Sequence, residues 1–478
     1  MDPASIILCS KFATASSHGT LIIPSCEWSL IMPTGSDLKD RISTIIESNR
    51  EDIVEVGETI LQNPELGFKE VETSALVQRK FEELELDYRS GLAKTGVKAK
   101  IDTGRPGPTL ALIGELDALV VPGHPHENLD THAAHACGHN AQIAGLIGAA
   151  TALTDPNILR ELSGSIVLMA VPAEEYVEVE YRHQLVKDGQ LEFLGGKPEL
   201  IRRGEFDDVD IAMMIHTHSN PDENGMAAVT ESNNGCVVKQ IKYVGQAAHA
   251  GGSPHLGINA LYAAHIGMAA INAIRETFRD EDAIRVHPIV THGGDLVNVI
   301  PAEVILETYV RGKTTDAIDA ADAKVDRALK AGALALGADI EIITLPGYLP
   351  LINDSSLGEY FLDNQRRVHG DARVVRQGHR TGSTDMGDVS HIMPALHPSM
   401  AGATGNNHAV DWAIADPQMA YIEPAKALAW MAADLLSGDA SKGRRLVEEF
   451  EPLMTKDEYL RYQRGIGKTD LWSGAAPS

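Results

Sequence analysis

Four apolar runs of strand length, at 97–102, 109–116, 165–173 and 210–217, alternate with helical periodicity near 73–84 and 141–154. No other feature constrains the fold as much. Alternation of this kind argues for an α/β domain, a mixed sheet flanked by helices. Upstream, Leu38, Ile42, Ile45, Ile46, Ile53, Val56 and Ile60 recur mostly every three or four residues. They predict one amphipathic helix, capped by Ser36 and stopped by Pro64, that leads into the turn Asn63-Pro64-Glu65-Leu66-Gly67-Phe68.

From about Asn233 to Pro346 the rhythm changes. A strand (237–245), a helix (258–274), two strands (289–299 and 302–311), a second helix (315–336) and a last strand (339–345) follow one another. This β-α-β-β-α-β order is that of a ferredoxin-like α+β unit. It divides the chain into a catalytic domain at 36–232 and 347–440, interrupted by an inserted lid or dimerisation domain at 233–346. Residues 1–35 read as a disordered extension, with Met32 as an alternative start. The helix from Glu423 to Leu436 closes the catalytic domain, and 441–478 is a charged tail with some helix.

At 478 residues the chain has room for two domains, and 44% hydrophobic with 23% charged residues is ordinary for a globular protein. No apolar run reaches the ~18 to 20 residues that span a bilayer, which argues against a membrane role. The net charge of −26 opposes nucleic acid and anionic membranes. An anionic substrate must therefore be captured by local positive charge. Four cysteines (Cys9, Cys26, Cys137, Cys236) are too few and too scattered for a disulfide framework. With no basic segment ahead of the short apolar patch Ile6-Ile7-Leu8-Cys9, the N-terminus lacks the look of a secretory signal, and a cytoplasmic location is expected.

The chemistry-bearing residues gather at the ends of the apolar runs. Glu174-Glu175 closes the run from Ile166 to Ala173, Asp117 follows 109–116, His216 follows 211–215, and His408 lies in Gly405-Asn406-Asn407-His408. In an open α/β sheet, chemistry collects where strands end. Cys137 and His139 stand two apart, so both side chains can face one pocket. A thiolate with an imidazole suits zinc, and imidazole with carboxylate also suits manganese or cobalt. Adjacent carboxylates at a strand end point opposite ways. One would then bind metal while its neighbour works on a water. Of 19 histidines, His124, His126, His132 and His135 read as solvent-exposed loop residues, and His218 competes with His216 for one role.

Six motifs, in order, carry a resemblance: Gly114-Glu115-Leu116-Asp117-Ala118-Leu119, His135-Ala136-Cys137-Gly138-His139-Asn140, Pro172-Ala173-Glu174-Glu175, Gly245-Gln246-Ala247-Ala248-His249-Ala250, Asn298-Val299-Ile300-Pro301 and Gly382-Ser383-Thr384-Asp385. Over about Leu38 to Gly438 the chain resembles the dinuclear metallopeptidases of the aminoacylase and carboxypeptidase superfamily. The branch most similar comprises amidohydrolases of N-acyl amino acids, aminobenzoyl-glutamate, auxin conjugates or unusual dipeptides. The resemblance implies two divalent ions, zinc, manganese or cobalt. Cys137 would bridge them, with His139, Glu175, His216 and His408 completing the sites. It also implies Glu174 as general base toward a water held by the ions, Asp117 as support for a ligand histidine, and His249 reaching the active site of a partner subunit to polarise the scissile carbonyl. Asn298 and Arg311 would grip a substrate carboxylate, Arg by its planar two-donor fork. Many members carry His-x-Asp where this chain has Glu115-Leu116-Asp117, so their first metal ligand is absent here.

The expectation is thus a metal-dependent amidohydrolase, a homodimer or higher homo-oligomer, acting on a small molecule with a free carboxylate. A rival would use Cys137 as a nucleophile activated by His139; chelation with metal rescue separates the two. A catalytically silent binding homologue is the third possibility, and a turnover assay decides it.

Overall fold

The computed structural model describes residues 37–475; Ser36, Met32 and the N-terminal extension lie outside them. The amphipathic stretch forms two helices where one was expected, Leu38–Ser48 and Arg50–Gln62. Between them the Asn49 side chain donates back to the Ile45 carbonyl at 2.8 Å. Asparagine offers the backbone such local alternatives, which favour a break.

The first six-stranded sheet runs Tyr88–Leu92, Gly96–Asp102, Ser165–Val171, Thr109–Glu115, Ile211–Met213, Ala395–Leu396. It is mixed: Gly96–Asp102 pairs antiparallel with both neighbours, and the later pairings are parallel. Successive side chains of a strand point to opposite faces, and the two central strands feed two cores accordingly. Leu110, Leu112, Ile166 and Leu168 join the helices Leu38–Ser48, His139–Leu153 and Glu423–Leu436 on one side. Ala111, Ile113, Val167 and Met169 meet Leu200, Ile201, Met386 and Val389 on the other. Thr109–Glu115 and Ser165–Val171 are parallel and in register, so Glu115, Asp117 and Glu174-Glu175 follow the same sheet edge.

The run expected as one strand at 210–217 is divided. Ile211–Met213 stays in the first sheet, and His216–His218 enters a four-stranded sheet beside Ser399–Ala401. Its parallel partner steps at the same place, where Pro398 lacks the N–H a continuous ladder needs. The His216 N–H donates to the Pro398 carbonyl at 2.9 Å.

A second sheet has the order Arg285–Val286, Glu303–Gly312, Gly235–Val244, Asp339–Pro346, Lys468–Ser473, and Ile289–His292 also pairs with Glu303–Gly312. The helices Ala260–Ala273 and Thr315–Leu336 pack with it around Ile241, Tyr243, Leu306, Val325 and Leu329. This is the ferredoxin-like arrangement read from the sequence. The strand expected over 289–299 stops at His292, after a register shift and before Gly293 and a left-handed Gly294 (φ 107°). The tail carries the helices Ser441–Glu449 and Lys456–Ile466, the latter opened by a Thr455/Glu458 capping box. The strand Lys468–Ser473 then extends the second sheet along Asp339–Pro346. Among the described residues no helix is long and apolar enough to cross a membrane.

Candidate metal centre

Gly138 shapes the first part of the site. Its φ of 99° lies where a side chain is strained. A Cβ there would also come within 3.0 Å of Thr217 Cβ. The turn starts the helix His139–Leu153 and brings Cys137 and His139 into one cluster. His139 Nδ1 meets the Asp117 carbonyl oxygen at 2.8 Å. A carbonyl only accepts, so Nδ1 carries a proton and Nε2 is the atom turned to the cluster. Asp117 Oδ1 lies 3.3 Å from the same Nδ1. His216 is oriented alike, with Nδ1 2.7 Å from the Thr217 carbonyl and Nε2 3.3 Å from Cys137 Sγ.

The Glu174-Glu175 pair lies beyond the strand proper, after Ala173 at φ 55°. Four hydrogen bonds hold the backbone from Ala173 to Glu175. Glu70 Oε1 accepts from Ala173 N at 2.8 Å and Asp117 Oδ2 from Glu175 N at 2.8 Å. The Tyr348 hydroxyl donates to the Glu174 carbonyl and the Arg182 guanidinium to that of Glu175. The two carboxylates diverge: Glu174 Oε2 is 3.9 Å from His139 Nε2, and Glu175 Oε1 is 3.3 Å from His408 Nε2.

Two groups of three ligand atoms, each within 4.8 Å of one another, share Cys137: Cys137, His139, His216 and Cys137, Glu175, His408. Glu115, His139 and Glu174 form a third such group. His139 Nε2 and Glu175 Oε1 are buried and meet only other members of these groups, Glu115 Oε2 at 3.1 Å and His408 Nε2 at 3.3 Å. Buried ligand atoms turned toward one another, histidines fixed through Nδ1 and a thiol among imidazoles fit a cation site.

The electrostatics point the same way. Burial and Glu175 push the Cys137 thiol up, but His216 and His139 outweigh them and bring it down to about 6. Burial opposes the charge on His139, yet Glu115, Asp117 and Cys137 hold its pKa well above the usual range. Glu175 and Cys137 raise His408 to about 11. Burial would lift Glu175, but His408, His139 and Cys137 lower it to about 2. Glu174 is pushed well up, by burial first and then by Glu115, Glu175 and Asp385. The anionic pull that loads these histidines with protons is the pull that attracts a divalent cation.

Behind the cluster, Lys197 is fully buried, 2.5 Å from Glu115 Oε1 and also paired with Asp385. In the sequence, Glu115 stands out only as the residue in place of a metal ligand, and Lys197 carries no expected role. Its only signal was a lysine at the start of a short helix, Gly196–Arg203. Two histidine expectations are corrected. His124 and His135 are 3% and 1% exposed, not loop residues in solvent. His124 Nε2 lies 2.9 Å from the Trp412 carbonyl, which draws that loop into the core. His132 is exposed and His126 half-buried.

The cluster opens into a cleft of about 630 Å³ whose lining includes Cys137, Glu174, Glu175, His216, His408 and Arg311. Arg311 Cζ stacks 5.2 Å from the Tyr309 ring centroid. His249 and Asn298 are not among its lining residues. They sit together on exposed loops, Ala250 N donating to the Asn298 carbonyl at 3.0 Å. The backbone N–H groups of Gly251 and Gly252 donate to His249 Nδ1 at 3.2 and 2.9 Å, so its Nε2 is left as the donor.

The chain belongs to peptidase family M20/M25/M40, whose model matches residues 111–424. It is a hydrolase of amide or peptide bonds. It is 28% identical over 451 residues to the Xaa-Arg dipeptidase of Homo sapiens, covering 88% of this chain and 94% of that protein. It is 26% identical over 380 residues to the IAA-amino acid hydrolase ILR1-like 4 of Arabidopsis thaliana, covering 78% and 81%. Among solved structures it is similar to the YXEP protein of Bacillus subtilis, described as a dinuclear metal binding peptidase. That match has a TM-score of 0.59, 22% identity, and covers 82% of this chain and 99% of the other.

Proposed function

We propose that the protein cleaves the amide bond of N-acyl amino acids, dipeptides or amino-acid conjugates that carry a free carboxylate, with two divalent ions, zinc, manganese or cobalt, as cofactor. One observation carries this reading: Cys137 belongs to two separate three-ligand groups, with His139 and His216 in one and Glu175 and His408 in the other. Ions held there would supply Lewis acidity, which polarises an amide carbonyl and acidifies water. Glu174, beside this cluster and not needed by either group, takes the proton of the attacking water at its carboxylate and delivers it to the leaving amine. Burial among Glu115, Glu175 and Asp385 raises its proton affinity, which suits that exchange. Arg311 binds the substrate carboxylate from the cleft wall. His249 and Asn298, on exposed loops, serve the cleft of a second copy in a homodimer. There the His249 Nε2–H stabilises the developing oxyanion.

Glu174→Gln tests the assignment. Metal content by elemental analysis should stay that of the wild type, while turnover falls ~10² to 10⁴-fold, the usual contribution of a positioned general base. Near wild-type turnover would remove Glu174 from the mechanism.

A further inference from the structure

One wall of the cleft meets the metal centre only at His216. It is built by the four-stranded sheet of Val374–Gln377, Ala227–Thr230, Ser399–Ala401 and His216–His218, with the loops at its ends. Arg380 lies in such a loop and lines the cleft. Its Nε donates to Gln377 Oε1 at 3.0 Å and its Nη2 to Asn224 Oδ1. Both acceptors are neutral amides, and Arg380 makes no ion pair among the described residues. They orient the guanidinium without cancelling its charge.

His218 lines the same cleft and is 8% exposed, with neither ring nitrogen hydrogen-bonded. A buried imidazole without a partner costs free energy that a ligand would offset. Among the described residues the only acids lining the cleft are Glu175, a member of a ligand group, and Glu174, committed to the attacking water in the reading above. A cationic group on a substrate would find no free carboxylate there. An anionic one would meet Arg311 from the second sheet and Arg380 from this wall.

We propose that Arg380 and His218 form a second anion subsite, so that the preferred substrate is dianionic, with a second carboxylate besides the one next to the scissile amide. A planar guanidinium already held by two amides presents its remaining N–H groups as a fork for a carboxylate. This subsite rests on the amidohydrolase reading. The second carboxylate belongs either to the amino-acid side chain or to the acyl group.

The test compares kcat/KM of the metal-loaded enzyme on N-acetyl-glutamine, N-acetyl-glutamate and N-succinyl-glutamine, for wild type and Arg380→Met, with N-acetyl-arginine as the cationic control. At least one diacid should exceed N-acetyl-glutamine by tenfold or more. The preferred diacid identifies which carboxylate is read, and N-acetyl-arginine should be the slowest. In Arg380→Met the diacid-to-monoacid ratio should fall to near one. A ratio near one in the wild type, or one preserved in Arg380→Met, overturns the proposal. If the wild type cleaves none of these compounds, the amidohydrolase reading is what fails. Calorimetric Kd values for the same set on wild type and variant then decide the subsite by the same ratio.

Discussion

Cys137 separates the metal reading from the thiol reading. Its Sγ belongs to both ligand groups, and its neighbours lower its pKa to about 6, so it is largely thiolate near neutral pH. Both readings need a thiolate, but they differ in what the thiolate holds. A hydroxyl is a far poorer ligand than a thiolate, so Cys137→Ser should weaken metal binding by at least about tenfold and lower the rate with it. The nucleophile reading expects full metal occupancy with no activity. A metal titration followed by elemental analysis separates the outcomes. Cys137, His139, Glu174, Glu175 and His216 were legible in the sequence because each sits where an apolar run or a glycine turn ends. Arg380 carries no expectation and His218 only a competing claim on the role of His216, because what each residue lacks as a partner shows only in the fold.

The helix Gly196–Arg203 does work that its sequence did not announce. A Cβ on Gly196 would fall 1.7 Å from the Pro172 carbonyl oxygen, so only glycine lets the helix start against the segment that leads to Glu174. The next residue, Lys197, then enters the core between Glu115 and Asp385, with all three side chains at most 1% exposed. Burial opposes its charge, yet Asp385 and Glu115 hold the ammonium protonated, while Lys197 and His139 keep Glu115 ionised against its own burial. Lys197→Met should therefore leave two buried carboxylates short of a counter-charge and cost ~3 to 5 kcal/mol of stability. Adding Glu115→Gln and Asp385→Asn should recover part of it. Denaturant midpoints of the single and triple variants check this, and an unchanged midpoint for Lys197→Met would show that the carboxylates have another partner. Strands and long helices were readable because their periodicity reflects burial directly. A single buried lysine in a short helix breaks that correspondence, and sequence patterns class it with solvent-facing charges.

Across the whole molecule, the feature that fits worst within one copy is the position of His249. Its loop and that of Asn298 belong to the second sheet's surface, where Leu296 and Val297 are 64% and 102% exposed, and neither residue lines the cleft. The order of that second sheet was legible from its strand and helix lengths. The strand Lys468–Ser473 on its edge was not, because four of its six residues are exposed and its pattern resembles a polar tail. A histidine whose Nδ1 is occupied by Gly251 and Gly252 presents one donor outward, as the proposed cross-subunit role requires. In a symmetric dimer each cleft would then combine Glu174 of one subunit with His249 of its partner. The variants Glu174→Gln and His249→Ala should each be nearly inactive alone. In a hybrid of the two, one cleft has both substitutions and the other has neither. Equal mixing by co-refolding or co-expression should therefore recover about a quarter of wild-type activity, since half the dimers are hybrids with one competent site of two. Differently tagged subunits allow the hybrid to be isolated, where recovery should rise to about half. A purified hybrid without activity would place His249 in its own subunit's chemistry or outside catalysis altogether.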